Sequence, residues 1–399
     1  MKLYISKKET VGANAVVLDD MMLTSDLPTT AGSKMLDNYM SLFGASVTSK
    51  LTAAGYSVAG KANVGEFGID LLGETSYFGA VTDEKGNLSL ASAEIVKSGD
   101  AAIAVGLDVN GAQRRAAALS GLISVKPTYG TVSRYGTIPA VCSGETVSVM
   151  AGTVADAKTA LAAIVGHDDK DGTSLPEEKC ALVKNGAASL KKVAVIKTLT
   201  ANIDAETAAK VDAAKAALSA AGVSVDEVDC DVLLFAKTAW SVLMCAELCN
   251  NVSRYDGVKY GHRSENYTTI GELYTNSRTE AFGALTKTAI LYGSETLSDD
   301  NYMPVYDKSL RVRRVIAEAL AKLHSEYDAL IIPACSKSAY TVADTDANKY
   351  LAFDEALYTA PASITGLPTV VAGGVQLIGA AFSENTLFEA AEIIAKEDK

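Results

Sequence analysis

Gly106-Leu-Asp-Val-Asn-Gly-Ala-Gln-Arg-Arg-Ala-Ala117, followed by Gly121-Leu-Ile-Ser-Val-Lys-Pro-Thr-Tyr-Gly130, is the stretch on which the fold turns. A short apolar run, Ala101–Val105, leads into it and reads as a buried strand. Similar runs stand at Ala15–Leu18, Val193–Ile196 and Ala329–Pro333. They alternate with longer segments of helical periodicity, which predicts an α/β protein. The helical segments are Ser33–Ala54, Asp204–Ala221, Ser309–Tyr327 and Asn385–Lys396. Gly55 and Gly222 follow two of them as stop signals. The segment 256–297 reads as helical but irregular, and Gly166–Gly172 as a turn. No repeat or low-complexity linker divides the chain, so a single domain over residues 1–399 is expected.

Composition narrows the function. The chain has 399 residues, is 48% hydrophobic and only 7% aromatic. That suits a large core of closely packed helices on a sheet. The formal net charge of −12 argues against direct nucleic-acid binding by the chain alone, because phosphate contacts need clustered Lys and Arg. Arg311, Arg313 and Arg314 form the one dense basic cluster, on a predicted helix, where a solvated or ion-paired face is expected. The six cysteines are scattered without a Cys-x-x-Cys pair and only three histidines are present, so no metal site is expected. Nothing calls for a cofactor. No run approaches the ~18 apolar residues of a membrane span, and Met1–Lys8 lacks a signal-peptide core. A reduced, cytoplasmic setting follows.

The opening stretch resembles the nucleophile segment of the amidase signature family, G-S-D-T-G-G-S-I-R-Q-P-A and then G-x-x-G-x-K-P-T-Y-G. Further segments resemble the branch formed by the A subunits of tRNA-dependent Glu/Asp amidotransferases. These are Thr29–Leu36, Gly60–Phe67, Glu74–Gly79, Tyr129–Gly136, Ser253–Gly261 and Glu272–Gly283, with Gly366-Leu-Pro368 and Leu377-Ile-Gly379 near the end. The resemblance implies an α/β fold with a large, mixed, mostly parallel sheet covered by helices on both faces. It also implies amide hydrolysis by a Ser–Ser–Lys triad, an oxyanion held by the Gly-rich turn, and B and C partner subunits. The family has two helices before its first sheet strand. This chain starts later, so an apolar patch or groove is expected where they would lie.

The chemistry is altered where it matters. The nucleophilic serine position falls on Ala112, whose methyl cannot attack a carbonyl. The bridging serine falls on Leu88 and the lysine on Asp19. The oxyanion turn reads Val109, Asn110, Gly111. Asp108 and Arg114 match the family's Asp and Arg and are expected to anchor the turn by charge-assisted hydrogen bonds. Of the family's glutamine-binding residues, Tyr274 and Arg313 match, while the aspartate falls on Ala356. The leading expectation is therefore an inactive amidase-fold scaffold or binding subunit. One alternative is an amidase or glutaminase with relocated groups, using Ser89, Ser92 or Ser98 as nucleophile and Asp19 as base. The other is a small-molecule sensor using the vacated pocket.

Overall fold

The computed structural model describes residues 2–397 apart from 10 and 13. Its strands, in chain order, are β1 (Tyr4–Lys7), β2 (Ala15–Asp19), β3 (Ser57–Ala62), β4 (Val81–Thr82) and β5 (Leu88–Ser89). Then come β6 (Ile103–Asp108), β7 (Ile123–Lys126), β8 (Thr146–Ala151), β9 (Lys192–Ile196) and β10 (Ser224–Val228). The last are β11 (Ala329–Pro333), β12 (Thr369–Ala372) and β13 (Val375–Gly379). Eleven of them form one sheet in the order β1-β3-β2-β6-β8-β7-β12-β13-β11-β9-β10, and β4 pairs with β5 as a separate hairpin.

The sheet is mixed, as expected. Parallel blocks of three, β3-β2-β6 and β11-β9-β10, flank an antiparallel centre. Most strands are buried along their whole length, which explains their apolar runs. All four strands expected from sequence are present, with ends shifted by up to three residues.

Helix ends follow local chemistry. Asp204 caps the helix Ala205–Ala220 through its side chain, and Gly222 follows it at positive φ. Thr269 and Glu272 form a reciprocal capping box at Ile270–Ala281.

Two expectations need correction. Ser33–Ala54 is not one helix: it holds a 3₁₀ turn, Lys34–Leu36, and a short helix, Ser46–Ala53. Asn38 at φ 61° breaks the chain between them. The second concerns membrane-spanning length. Asp231–Arg254 is 24 residues long and contains an 18-residue window of mean hydropathy 1.6, enough by length and composition to cross a bilayer. Its central helix, Ala236–Asn251, instead serves the core. It packs on the helices Ala284–Thr296, Lys308–His324 and Leu351–Thr365, and buries Trp240, Leu243, Met244 and Leu248.

Candidate functional site

Parallel strands β2 and β6 end side by side, in the register Leu18↔Val105, and carry Asp19 and Asp108 at their carboxyl ends. Residues 109–111 then turn the chain into the helix Ala112–Ser120. Gly111 adopts φ 88°, and a Cβ there would lie 2.4 Å from the Thr359 side chain. Glycine is required on both counts. This is the strand–turn–helix in which the family's nucleophile would stand, and Ala112 occupies its first helical position.

Asp19 meets the first turn of this helix. Gln113 Nε2 donates to Asp19 Oδ2 at 2.5 Å. Gly106 makes room for the pair, since a Cβ there would sit 2.1 Å from Asp19 Oδ2. Burial pushes the Asp19 carboxyl up to about 8, against the Gln113 hydrogen bond and with added repulsion from Asp20. Near neutral pH Asp19 is therefore mostly protonated. Ser92 Oγ lies near enough to favour the charged carboxylate but falls short of a regular hydrogen bond. Leu88 joins the apolar cluster of Leu71, Leu72, Leu90 and Tyr340.

The three alternative serines differ in surroundings. Ser89 Oγ donates to Glu94 at 2.6 Å, and Ser98 Oγ to the Ile95 carbonyl at 2.9 Å. Ser92 is fully buried. The buried amine of Lys61, in β3, is committed too. It donates to the Met22 carbonyl and to Thr29 Oγ1, and it lies 3.8 Å from Asp20.

Within the turn 109–111, the Asn110 side chain is held by three partners. Asn110 is fully buried and donates to the carbonyls of Ile69 at 2.9 Å and Ala352 at 3.3 Å. It accepts from Trp240 Nε1 at 3.0 Å, and Thr359 Oγ1 donates to its backbone carbonyl. The Trp240 ring fits against Gly144, where a Cβ would lie 2.4 Å away. Val109 is buried as well. A cavity of about 470 Å³ adjoins this wall at Leu351 and Ala352. Neither it nor the other principal cavities among the described residues is lined by Asp19, Ser92 or residues 108–115.

Arg114 clamps the turn to the C-terminal third. It pairs with Asp108 through both carboxylate oxygens at 3.0 and 2.9 Å. It also donates to the Thr359 carbonyl, Gln376 Oε1 and Ser363 Oγ. Burial works to raise the Asp108 carboxyl, but the Arg114 charge outweighs it and holds the group below the usual range. Arg115 donates to the carbonyls of Asp70 and Leu71 and to Thr359 Oγ1. Sequence reasoning missed the roles of Trp240, Asn110 and Thr359. The Trp240–Asn110 and Thr359–Asn110 pairs span 130 and 249 residues, and no local pattern signals such pairs.

Tyr274 and Arg313 occupy different helices. Tyr274 lies on Ile270–Ala281, which packs on the 34–36 turn, and is 40% exposed. Arg313 lies on Lys308–His324 and reaches the Ser143 carbonyl at 3.5 Å. No hydrogen bond joins them among the described residues. Ala356 is buried without a polar group to offer. Arg311 and Arg314 form ion pairs with Asp307 and Glu318, as expected of a surface face. No cluster of metal-ligating side chains occurs among the described residues.

The chain is similar to known proteins over most of its length. The family model described as Amidase matches residues 15–388. The A subunit of the Glutamyl-tRNA(Gln) amidotransferase of Latilactobacillus sakei is 34% identical over 393 residues, covering 94% of this chain and 80% of the relative. That of Coxiella burnetii is 34% identical over 386 residues, covering 92% and 80%. The solved structure of the corresponding A subunit from Thermotoga maritima superposes with a TM-score of 0.81 at 26% identity, covering 99% of this chain and 87% of that one. A 6-aminohexanoate cyclic dimer hydrolase shares the fold at a TM-score of 0.80 and 18% identity.

Proposed function

The chain belongs to the amidase signature family, and from that premise we propose that it is a catalytically inactive member serving as a scaffold or binding subunit of the amidotransferase type. The observation that carries this reading is Ala112 at the first helical position after Gly111. Amide hydrolysis by this fold needs a nucleophile there, a proton acceptor beside it and an open oxyanion turn. Here the first is a methyl group. The second is a neutral, buried Asp19 tied to Gln113. At the third, a buried Asn110 bonded to Trp240 stands where the family has a glycine.

Triad members act as a unit, so three replacements leave no partial mechanism. Asp108, Arg114 and Arg115 remain, and they hold the turn rather than a substrate. The cavities described above are not lined by these residues, which disfavours the sensor reading. The relatives are A subunits by name, and the segments Ser253–Gly261 and Glu272–Gly283 resemble that branch. Both support B-like and C-like partner subunits and a place in cytoplasmic tRNA amidation, with nitrogen supplied from elsewhere.

Glutaminase and amidase assays on the purified chain test the proposal. No turnover above buffer is expected, and Ala112→Ser alone should not create any, because an unactivated hydroxyl is a weak nucleophile. The triple change Asp19→Lys, Leu88→Ser, Ala112→Ser should restore a trace at most. Turnover by the unmodified chain that Ser92→Ala abolishes would establish the enzyme instead. Co-expression with the organism's B-like and C-like subunits should give co-elution in gel filtration, and separate elution at micromolar concentration would remove the partner reading.

A further inference from the structure

On the far side of the helix Ala236–Asn251 from Asn110 lies an apolar groove of about 680 Å³. Val232, Val242, Val305 and Val312 line it, with Phe235 and Tyr292 among its walls. The 3₁₀ turn Asp231–Phe235, the helices Ala236–Asn251, Ala284–Thr296 and Lys308–His324, and the wide π-helical turn Tyr302–Asp307 supply these residues. A π-helical turn containing Pro304 is an uncommon way to connect two helices and often marks a functional surface.

Large apolar side chains around the groove face solvent. Phe235 is 62% exposed, Met303 59% and Val315 50%. Such a concentration exceeds scattered surface hydrophobes and marks an interaction site. Trough-like grooves between helices receive one amphipathic helix, read by apolar anchors at i, i+3/i+4 and i+7.

Charge specifies the occupant further. The chain carries −12 overall, yet Lys308–His324 holds Lys308, Arg311, Arg313, Arg314 and Lys322 against a single acid, Glu318. Arg311 and Arg314 are satisfied along their own helix by Asp307 and Glu318. Lys308, exposed in the groove wall, makes no ion pair among the described residues. We propose that this groove docks an amphipathic helix of a partner protein, whose apolar stripe fills it and whose flanking carboxylate pairs with Lys308. The proposal deepens the scaffold reading by naming the partner's chemistry at one surface.

Two synthetic amphipathic peptides of about five helical turns test it by fluorescence anisotropy on the full chain. Both carry a leucine stripe; one has glutamates flanking the stripe and the other lysines. The glutamate peptide should bind saturably, at least about tenfold tighter than the lysine peptide. Val315→Asp should weaken it by about tenfold or more, and Lys308→Glu should reverse the preference between the peptides. Both positions are exposed, and an unchanged melting temperature would show the fold intact. Equal binding of both peptides, absence of saturable binding, or indifference to both substitutions would overturn the proposal. So would concentration-dependent self-association lost in Val315→Asp, which would make a second copy the occupant. Amide turnover by the chain would remove the scaffold reading and leave the groove standing. Co-elution with B-like and C-like subunits that survives Val315→Asp, with neither peptide bound, would do the reverse.

Discussion

Replacing Asp19 by asparagine should make this protein more stable, by an amount that grows with pH. Burial lifts the Asp19 carboxyl from 3.8 to about 8 in the folded chain. Below pH 3.8 folded and unfolded states are both protonated, and the group adds no pH dependence. As pH rises further, the unfolded chain releases its proton and the folded chain does not. The native state then binds more protons, so stability falls until pH passes the folded value. Each pH unit costs about 1.4 kcal/mol, which bounds the loss at about 4 kcal/mol by pH 7. Local relaxation brings an expected gain of about 2–4 kcal/mol for Asp19→Asn at that pH. Asparagine keeps an oxygen to accept from Gln113 Nε2, so geometry is preserved. Urea unfolding of both proteins at about pH 4.5, 6 and 7.5 measures the gap. An asparagine variant less stable than its parent at pH 7, or a gap that does not widen with pH, would refute the reasoning. A catalytic carboxylate would give the opposite lesson, since its loss removes activity.

Arg114→Ala should cost about 3–5 kcal/mol in urea unfolding, because it strands the Asp108 charge in a fully buried site. Asn110→Ala should lower calorimetric stability by about 1–3 kcal/mol for each buried partner it leaves unpaired, Trp240 Nε1 and the carbonyls of Ile69 and Ala352. Gly106→Ala should unfold the chain or greatly destabilise it, since the methyl meets Asp19 at 2.1 Å. Asp19→Ala in the same chain should recover part of that loss, and strict additivity in the double-mutant cycle would show that the clash is not the cause.

The strands were legible because burial on both faces writes continuous apolar runs, as in Ala329–Pro333. The helix Ala205–Ala220 was legible because Asp204 and Gly222 punctuate it. Ser33–Ala54 misled for a physical reason. Met35 and Leu36 are buried through an irregular loop that reverses at Asn38, so their spacing mimicked a helix without forming one. At the site, the replacements at positions 19, 88 and 112 could be read along the chain. The bonding of Asn110 could not, because it depends on Trp240 and Ala352 meeting it from far away in sequence.

The Arg114 clamp also bears on how the chain is born. Its partners Thr359 and Gln376 emerge 245 and 262 residues later. At about 5–20 residues per second, a ribosome leaves that guanidinium waiting on the order of ten seconds to a minute. Until then the turn's arginine must stay hydrated, and the strand and helix it joins cannot close. Nascent chains halted before Thr359 should accordingly remain protease-sensitive and engage chaperones, while release of the last forty residues should let the whole molecule lock at once.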